Sequence, residues 1–233
     1  MRFALHAEWT KLRTVTGPPW LTAGTIVATV ALSAAATSVV TCEPDDCGGD
    51  MVKLSLIGVD LGQALVAILA VLVISGEFST GMIRTTLTAM PRRLVVFAAK
   101  ALLLAAVVAV AGTVAVLGSL LAGRLVRPGH GDQTLTLTDG PTLRAVTGSI
   151  LYLVLIALLS LGIATALRDS ATSIGIVLGL LYILPILAQT IGDPEWRNRF
   201  EKIAPMSAGL RVTAAWAAAA LLIGGLLLRR RDA

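Results

Sequence analysis

The sequence has few charged and few aromatic side chains. Of its 233 residues, 14% are Asp, Glu, Lys or Arg and 4% are Phe, Trp or Tyr, whereas 56% are hydrophobic. A soluble domain carries about 25% charged residues, which cover its surface. Together with a mean hydropathy of +0.84, this composition argues against a soluble globular enzyme.

Sequence motifs of several enzyme classes are also missing. None of the four lysines follows a glycine, so the Gly-Lys-[Ser/Thr] of a P-loop does not occur. No serine has a glycine two positions before it, and His6 and His130 are too far apart for a His-Glu-x-x-His zinc site. Residues 129–132 match the Gly-x-Gly-Asp of intramembrane aspartyl proteases, but they lie in a polar stretch, and neither tyrosine precedes an aspartate. We therefore predict that the chain is not an enzyme and that it binds no cofactor or metal itself.

Charge-free stretches divide the chain into six apolar segments. They cover residues 14–42, 61–76, 101–123, 145–167, 170–192 and 212–228. A bilayer core of about 30 Å needs about 20 helical residues, and a charge at the centre of a span costs about 2.5–3.5 kcal/mol. We therefore predict an all-α, polytopic membrane protein with a single transmembrane domain over 1–233. The expected spans are 20–40, 54–75, 101–123, 145–167, 171–191 and 212–228.

The distribution of charge sets the expected orientation. If the N-terminus is inside, the inner segments carry eleven basic and four acidic side chains, whereas the outer segments carry eight basic and ten acidic ones. Basic residues concentrate on the cytoplasmic side of membrane proteins. We therefore expect a multi-pass protein of the cell (plasma) membrane with both termini in the cytoplasm. The basic residues flank the spans, so they do not indicate nucleic-acid binding.

Two cysteines lie in the first expected outer loop. Cys42 and Cys47 bracket an acidic turn, and an outer location is oxidising. A disulfide that closes this small loop is the preferred interpretation. Two unpaired thiols, or a metal site that uses the nearby carboxylates, are the alternatives.

An amphipathic segment precedes the first span. Leu5, Trp9 and Leu12 recur at i, i+4 and i+7, with Lys11 and Arg13 beside them. This pattern is typical of a helix that lies on the inner leaflet. The alternative is a disordered basic leader.

A second amphipathic segment joins spans two and three. Ile83, Leu87 and Met90 follow helical spacing, and Pro91 ends the pattern. A short cytoplasmic helix is therefore predicted here. The alternative is a solvated turn at the membrane surface.

This second segment resembles the type-2 ATP-binding-cassette (ABC) exporter permeases. Residues 76–87 read Gly-Glu-Phe-x-x-Gly-Met-Ile-Arg-Thr-Thr-Leu, and Pro91-Arg92-Arg93 and Lys100 follow. This pattern is most similar to the short stand-alone permease subunits. Residues 8–13 are similar to the N-terminal elbow helix of that group. A departure is Met82, because many broader relatives have threonine there.

The resemblance implies roles for two sets of residues. In the family, the segment between spans two and three is a coupling helix that docks on a separate ATPase subunit. The implied coupling residues are Glu77, Phe78, Gly81, Met82 and Arg84. The implied elbow-helix residues are Trp9, Lys11, Leu12 and Arg13.

The resemblance also implies the function. The chain would be the permease subunit of an exporter and would form the substrate pathway in the bilayer. It would pair with a second permease subunit, identical or related, and with two copies of a cassette ATPase that binds ATP and Mg. The alternative is a membrane interaction, immunity or regulatory protein that does not transport. A gradient-driven carrier fits less well, because such carriers show internal repeats and broken helices.

Two further features lie toward the expected outer side. Trp196, Phe200 and Ile203 share one helical face and are a candidate outer gate, or alternatively an aromatic anchor with no transport role. Asp60 is the one carboxylate that the expected spans include. We favour an interfacial position for Asp60 over a substrate or proton site, because it lies near the outer end of its span.

The fifth span contains residues that bear on its packing. Gly175 and Gly179 have the Gly-x-x-x-Gly spacing that permits close helix contact. Pro185 predicts a kink in the same helix. Tyr182 is a candidate for a hydrogen bond across this kinked helix.

Overall fold

The computed structural model describes residues 2–15, 17–39, 56–83, 85, 93–126, 140–190 and 209–230. Within these ranges the chain is helical and contains no β-strand. Several residues singled out from the sequence lie outside the described residues: Cys42, Cys47, Arg84, Leu87, Met90, Trp196, Phe200 and Ile203.

The described chain contains eight α-helices. They are α1 (Arg2–Thr14), α2 (Gly17–Val39), α3 (Gly58–Ser79), α4 (Arg93–Val126) and α5 (Gly140–Leu167), followed by α6 (Ser170–Leu178), α7 (Leu184–Thr190) and α8 (Leu210–Arg230). A π-helical turn, Gly179–Ile183, joins α6 directly to α7.

Six helical segments are long and apolar enough to cross a membrane. They are α2, α3, α4, α5, α8 and the continuous stretch Ser170–Leu187 that α6 begins. The predicted all-α fold with six hydrophobic helices is confirmed, and it supports a multi-pass membrane protein. The boundaries differ in places: the third of these helices was expected at 101–123 but already begins at Arg93.

Contacts between helix ends show that the helices alternate in direction. At the start of α4, the Arg93 guanidinium donates to the carbonyl oxygen of Leu228 at the end of α8, at 3.2 Å. After α5, the guanidinium of Arg168 lies 5.3 Å from the centre of the Phe78 ring at the end of α3. α1 packs against the first turns of α4. We call the end of the bundle that holds these contacts the N-terminal side.

Helices α5 and α8 pack backbone to backbone. A Cβ atom added at Gly162 would lie 2.5 Å from the carbonyl carbon of Ala220, and one added at Gly224 would lie 2.7 Å from the carbonyl oxygen of Gly162. Only glycine permits so close an approach. By contrast, a Cβ at Gly175 or Gly179 would meet no other helix within 4 Å among the described residues, so the close packing expected at those two glycines is not found.

Helices α2 and α3 meet along a line of small polar residues. Four buried hydroxyl residues follow each other at intervals of four on α2: Thr25, Thr29, Ser33 and Thr37. The three threonine hydroxyls donate to carbonyl oxygens of their own helix, so they need no water. A Cβ at Gly58 of α3 would lie 2.1 Å from the carbonyl oxygen of Thr29. The backbone N–H of Gly58 donates a hydrogen bond to Ser33 Oγ at 3.2 Å.

The π-helical turn ends at Ile183, two residues before Pro185. A proline ring clashes with the carbonyl group four residues earlier in a regular α-helix, and that residue, Leu181, lies within the π-helical turn. Within the turn, the Tyr182 hydroxyl donates to the carbonyl oxygen of Asp60 on α3, so its partner lies on a neighbouring helix. Asp60 itself is exposed in the first turn of α3.

Candidate functional site

Four charged side chains from three helices form an ion-pair cluster on the N-terminal side. They are Glu8 and Lys11 of α1, Glu77 of α3 and Lys100 of α4. The Nζ atom of Lys11 lies 2.9 Å from Oε1 of Glu8 and 2.9 Å from Oε1 of Glu77. The Nζ atom of Lys100 lies 3.0 Å from Oε1 of Glu77 and also contacts Oε2 of Glu8. Each ammonium group therefore pairs with both carboxylates.

Local structure brings these four groups together. Glu8 and Lys11 are three residues apart on α1, so they lie on the same face of the helix. Glu77 occupies the last turn of α3, which ends at Ser79 and is followed by Thr80 and Gly81. Gly81 has a φ of +69°, a conformation that favours glycine after a helix. Lys100 lies two turns into α4. The cluster thus joins α1 to the two helices that flank the segment 80–92.

The cluster is almost completely buried. The side chains of Glu8 and Lys100 are each 4% exposed, that of Glu77 is 7% exposed and that of Lys11 is 24% exposed. Buried charges are costly unless they are paired, and even a well-paired cluster adds little net stability compared with apolar side chains. Inside apolar helices, such groups are default candidates for a functional role. Among the described residues of the cluster, two positive charges face two negative charges.

The electrostatic environment keeps the α1 members charged. Burial alone would raise the pKa of Glu8, but the ammonium groups of Lys100 and Lys11 outweigh it and hold that pKa below its ordinary value. Burial alone would lower the pKa of Lys11, but its hydrogen bonds to Glu77 and Glu8 raise that pKa above its ordinary value. Both residues are therefore ionised at neutral pH.

A cavity of about 250 Å³ adjoins the cluster between α1, α2 and α3. Its walls are mostly apolar and include Leu12, Leu21, Leu69 and Val73. Glu77 supplies part of the polar end of the cavity. The site therefore combines apolar walls with a charged end, as small-molecule sites do.

One carboxylate oxygen of the ion-pair cluster has an incomplete set of hydrogen bonds among the described residues. Oε1 of Glu77 accepts from both lysines. Oε2 of Glu77 is buried and accepts from no group that the structure describes. Such an acceptor costs free energy until a donor reaches it.

The residues predicted to couple to an ATPase fall in different environments. Glu77 is buried in the cluster, Phe78 is half-buried under Arg168, and Met82 is 39% exposed and also lines the cavity. Met82, Ile83 and Thr85 have helical geometry, whereas the rest of the predicted coupling helix, including Arg84, lies outside the described residues.

The residues predicted to form an elbow helix do lie on a helix, α1. Trp9 is 44% exposed and Arg13 is also exposed, whereas Leu12 is half-buried. Lys11 points into the cluster.

Glu8 and Lys100 are not among the site residues predicted from the sequence. Lys100 follows the apolar residues 94–99 and precedes a long charge-free stretch. A lysine inside such a stretch needs a buried partner, which is the signal that would have identified it.

Comparisons with known proteins do not assign a family: no protein-family model and no curated protein matches the sequence. Among the described residues, no group of three or more His, Cys, Asp or Glu side chains is placed to hold a metal ion. The candidate function therefore rests on the helical architecture, the ion-pair cluster and the adjoining segment 80–92.

Proposed function

We propose that the chain is the membrane-spanning permease subunit of an ATP-binding-cassette exporter. It forms part of the substrate pathway and is driven by a separate ATPase subunit that binds ATP and Mg. A second permease subunit, identical or related, completes the pathway, and two ATPase subunits act on the pair.

The observation that carries this proposal is the connection of α1, α3 and α4 through the ion-pair cluster. Glu77 comes just before the segment 80–92, and Lys100 comes two turns after it. Both side chains bind α1 through Glu8 and Lys11. The segment that resembles a coupling helix is thus attached to a rigid, charge-paired base.

Such a base suits mechanical coupling. When ATP closes the two ATPase subunits, the bound segment is displaced on the cytoplasmic side. Because its two flanking helices are paired to α1, the displacement moves α1, α3 and α4 together rather than bending one helix. Rigid-body movement of helices is an established route from a local change to a global one.

The residues of α1 and of the segment between α3 and α4 have different roles in this coupling. Exposed Met82 and the neighbouring Arg84 contact the ATPase. Glu77 and Phe78 hold the base of the segment from inside, through Lys100 and Arg168 respectively. Trp9 and Arg13 project from α1 toward the cytoplasmic membrane surface, as an elbow helix requires.

Affinity purification tests the proposal. The tagged full-length chain is extracted from its native membranes in mild detergent, and co-purified proteins are identified and quantified by mass spectrometry. We expect a stoichiometric cassette ATPase, and we expect Arg84→Glu to remove it because the charge at the contact is reversed. Arg144→Glu is the matched control, since Arg144 is exposed in the first turns of α5, at the opposite end of the bundle.

Other outcomes contradict the proposal. A stable membrane partner without any ATPase would indicate a non-transporting interaction, immunity or regulatory protein. An ATPase that is retained by Arg84→Glu and by Met82→Glu would show that the segment 80–92 is not the docking element.

A further inference from the structure

Three arginines lie where the ends of two helices meet on the N-terminal side. Arg93 begins α4, and Arg229 and Arg230 end α8. The Arg93 guanidinium donates to the carbonyl oxygen of Leu228 at 3.2 Å, which holds the last turn of α8 beside the first turn of α4. The positive charges therefore belong to two helix ends that are attached to each other.

The two arginines of α8 have no acidic partner among the described residues. Arg229 and Arg230 are both exposed, and none of the described ion pairs includes either side chain. Glu8 and Glu77, which lie at the same end of the bundle, pair with lysines instead. Uncompensated positive charge of this kind attracts anions.

An exposed apolar face of α8 leads to Arg230. This arginine follows Leu226 by four residues and Ile223 by seven, so the three side chains share one face of the helix. Leu226 is 53% exposed and Ile223 is 54% exposed. Such a face on a membrane-spanning helix contacts lipid tails, and an arginine at its end reaches the level of the lipid headgroups.

The other arginine of α8 lies on the side of the helix that meets α4. Arg229 follows Gly225 by four residues, so the two share a face. A Cβ added at Gly225 would lie 3.6 Å from Cδ2 of Leu94 and 3.7 Å from the ring of Phe97. Leu94 is 48% exposed. The apolar surface therefore continues from α8 onto α4, directly beside the arginines.

We propose that Arg229 and Arg230 bind the phosphate group of an anionic phospholipid, whose acyl chain lies along the apolar surface that α8 and α4 share. Guanidinium groups suit this headgroup because each presents several N–H donors to the phosphate oxygens. A zwitterionic phospholipid carries a cationic group beside its phosphate, so its attraction to two arginines is weaker. The site does not depend on the chain being an exporter.

The apolar surface favours a lipid over other anions. A dissolved phosphate ion, or an acidic segment of another protein, would engage the two guanidinium groups but would leave the exposed faces around Leu94 and Leu226 uncovered. A phospholipid engages both features at once, because its charged head and its apolar chain are adjacent. The order of charge and apolar surface along α8 matches the order of head and chain in a bilayer lipid.

Native mass spectrometry of the purified full-length protein in detergent tests the site. The protein is titrated with phosphatidylglycerol and with phosphatidylcholine that carries the same acyl chains. We expect one phosphatidylglycerol to bind about 25-fold more tightly, because a basic side chain beside an anionic lipid contributes about fivefold and two are present. Glycerol 3-phosphate, which lacks the acyl chains, should not displace the lipid at an equal concentration.

Two double variants separate this site from a general effect of positive charge. Arg229→Gln with Arg230→Gln should reduce the affinity for phosphatidylglycerol to that for phosphatidylcholine. Arg124→Gln with Arg144→Gln is the matched control, because these exposed arginines lie on α4 and α5 at the opposite end of the bundle. The control should keep the full preference. Both double variants should elute as the wild type does in size-exclusion chromatography.

The opposite results overturn the proposal. Equal affinity of the wild type for the two phospholipids would show that the arginines select no anionic headgroup. A preference that persists without Arg229 and Arg230, or that both double variants lose equally, would show that the lipid binds elsewhere or only through overall charge. Displacement by glycerol 3-phosphate would indicate a phosphate site without a role for the acyl chain. An acidic protein that co-purifies and excludes phosphatidylglycerol would assign the arginines to a protein interface.

Discussion

Lys100 of α4 and Glu77 of α3 form an ion pair across the segment that links their helices, with 3.0 Å between Nζ and Oε1. Both side chains are buried, and each also pairs with a residue of α1. The N-terminal helix is therefore held by charges that belong to two other helices.

Removal of Lys100 should destabilise the protein more than removal of the whole pair. Lys100→Met leaves two carboxylates with one ammonium group, so we expect the free energy of unfolding to fall by about 3–5 kcal/mol. The double variant Lys100→Met with Glu77→Met keeps the neutral pair of Glu8 and Lys11 and should recover part of that loss. The measurement is unfolding in detergent micelles titrated with SDS. If the double variant loses as much free energy of unfolding as the two single variants lose together, the two residues are not coupled.

The stability should decrease in acid, with a contribution from Glu8. The pKa of Glu8 in the folded protein lies below the ordinary value of 4.5. The stabilisation by ionised Glu8 is therefore fully present above pH 4.5, and it is lost as the pH falls through the lower pKa of the folded protein. We expect the thermal midpoint to fall as the pH is lowered from about 5 to about 3. Glu8→Gln, which leaves Lys11, Lys100 and Glu77 in place, should be less stable at pH 7 and should show a smaller fall. Parallel curves for variant and wild type would remove Glu8 from this explanation.

The contact between α5 and α8 should tolerate no side chain at Gly162. Because the nearest atoms belong to the backbone of Ala220, Gly162→Ala forces the helices apart and should cost about 1–3 kcal/mol. Gly175→Ala is the control: a Cβ there meets nothing within 4 Å, so better helix propensity should stabilise by up to about 1 kcal/mol. SDS titration of both variants checks this, and equal effects would argue against the close contact.

Asp169 should stabilise the start of α6 as its N-cap. Its Oδ2 accepts from the backbone N–H of Thr172 at 2.7 Å. Hydrogen bonding by the side chain of Thr172, and then by its backbone N–H, holds the pKa of Asp169 below its ordinary value. Asp169→Ala should lower the free energy of unfolding, whereas Asp169→Asn should preserve most of the stability. If both substitutions have the same effect, the cap contributes nothing measurable.

The two cysteines provide a test of the expected orientation. If Cys42 and Cys47 lie in an outer loop and form a disulfide, the unfolded protein should react with a maleimide only after reduction. Intact mass spectrometry before and after treatment counts the reacted thiols. Reaction without reductant would favour the unpaired thiols instead.

The long hydrophobic helices could be predicted from the sequence because the absence of charge over about 20 residues leaves few alternatives in a membrane. The beginning of α4 could not be predicted in the same way. The charge-free stretch predicts a start after Lys100, whereas the helix begins at Arg93 in the structure. A charge ends an apolar segment only when it has no buried partner, and the partners of Lys100 are distant in sequence.

The close helix contacts at glycines also could not be predicted from the sequence. The spacing of Gly175 and Gly179 permits close packing, but spacing does not tell which face of a helix meets a neighbour. The contacts in the described structure occur instead at Gly58 and Gly162. Likewise, Pro185 predicts a distortion, but the hydrogen bond from Tyr182 to Asp60 depends on which helices are adjacent.

The backbone contact between α5 and α8 has a consequence for how the protein is made. The face of α5 that carries Gly162 is synthesised before α8, because α6 and α7 lie between the two helices in the sequence. This face therefore enters the bilayer before its partner helix exists. Until Leu210–Arg230 arrives, Gly162 can only face lipid or a temporary partner. Assembly of the bundle must therefore finish after insertion of the earlier helices, so a chain stalled before α8 would be exposed to membrane quality control.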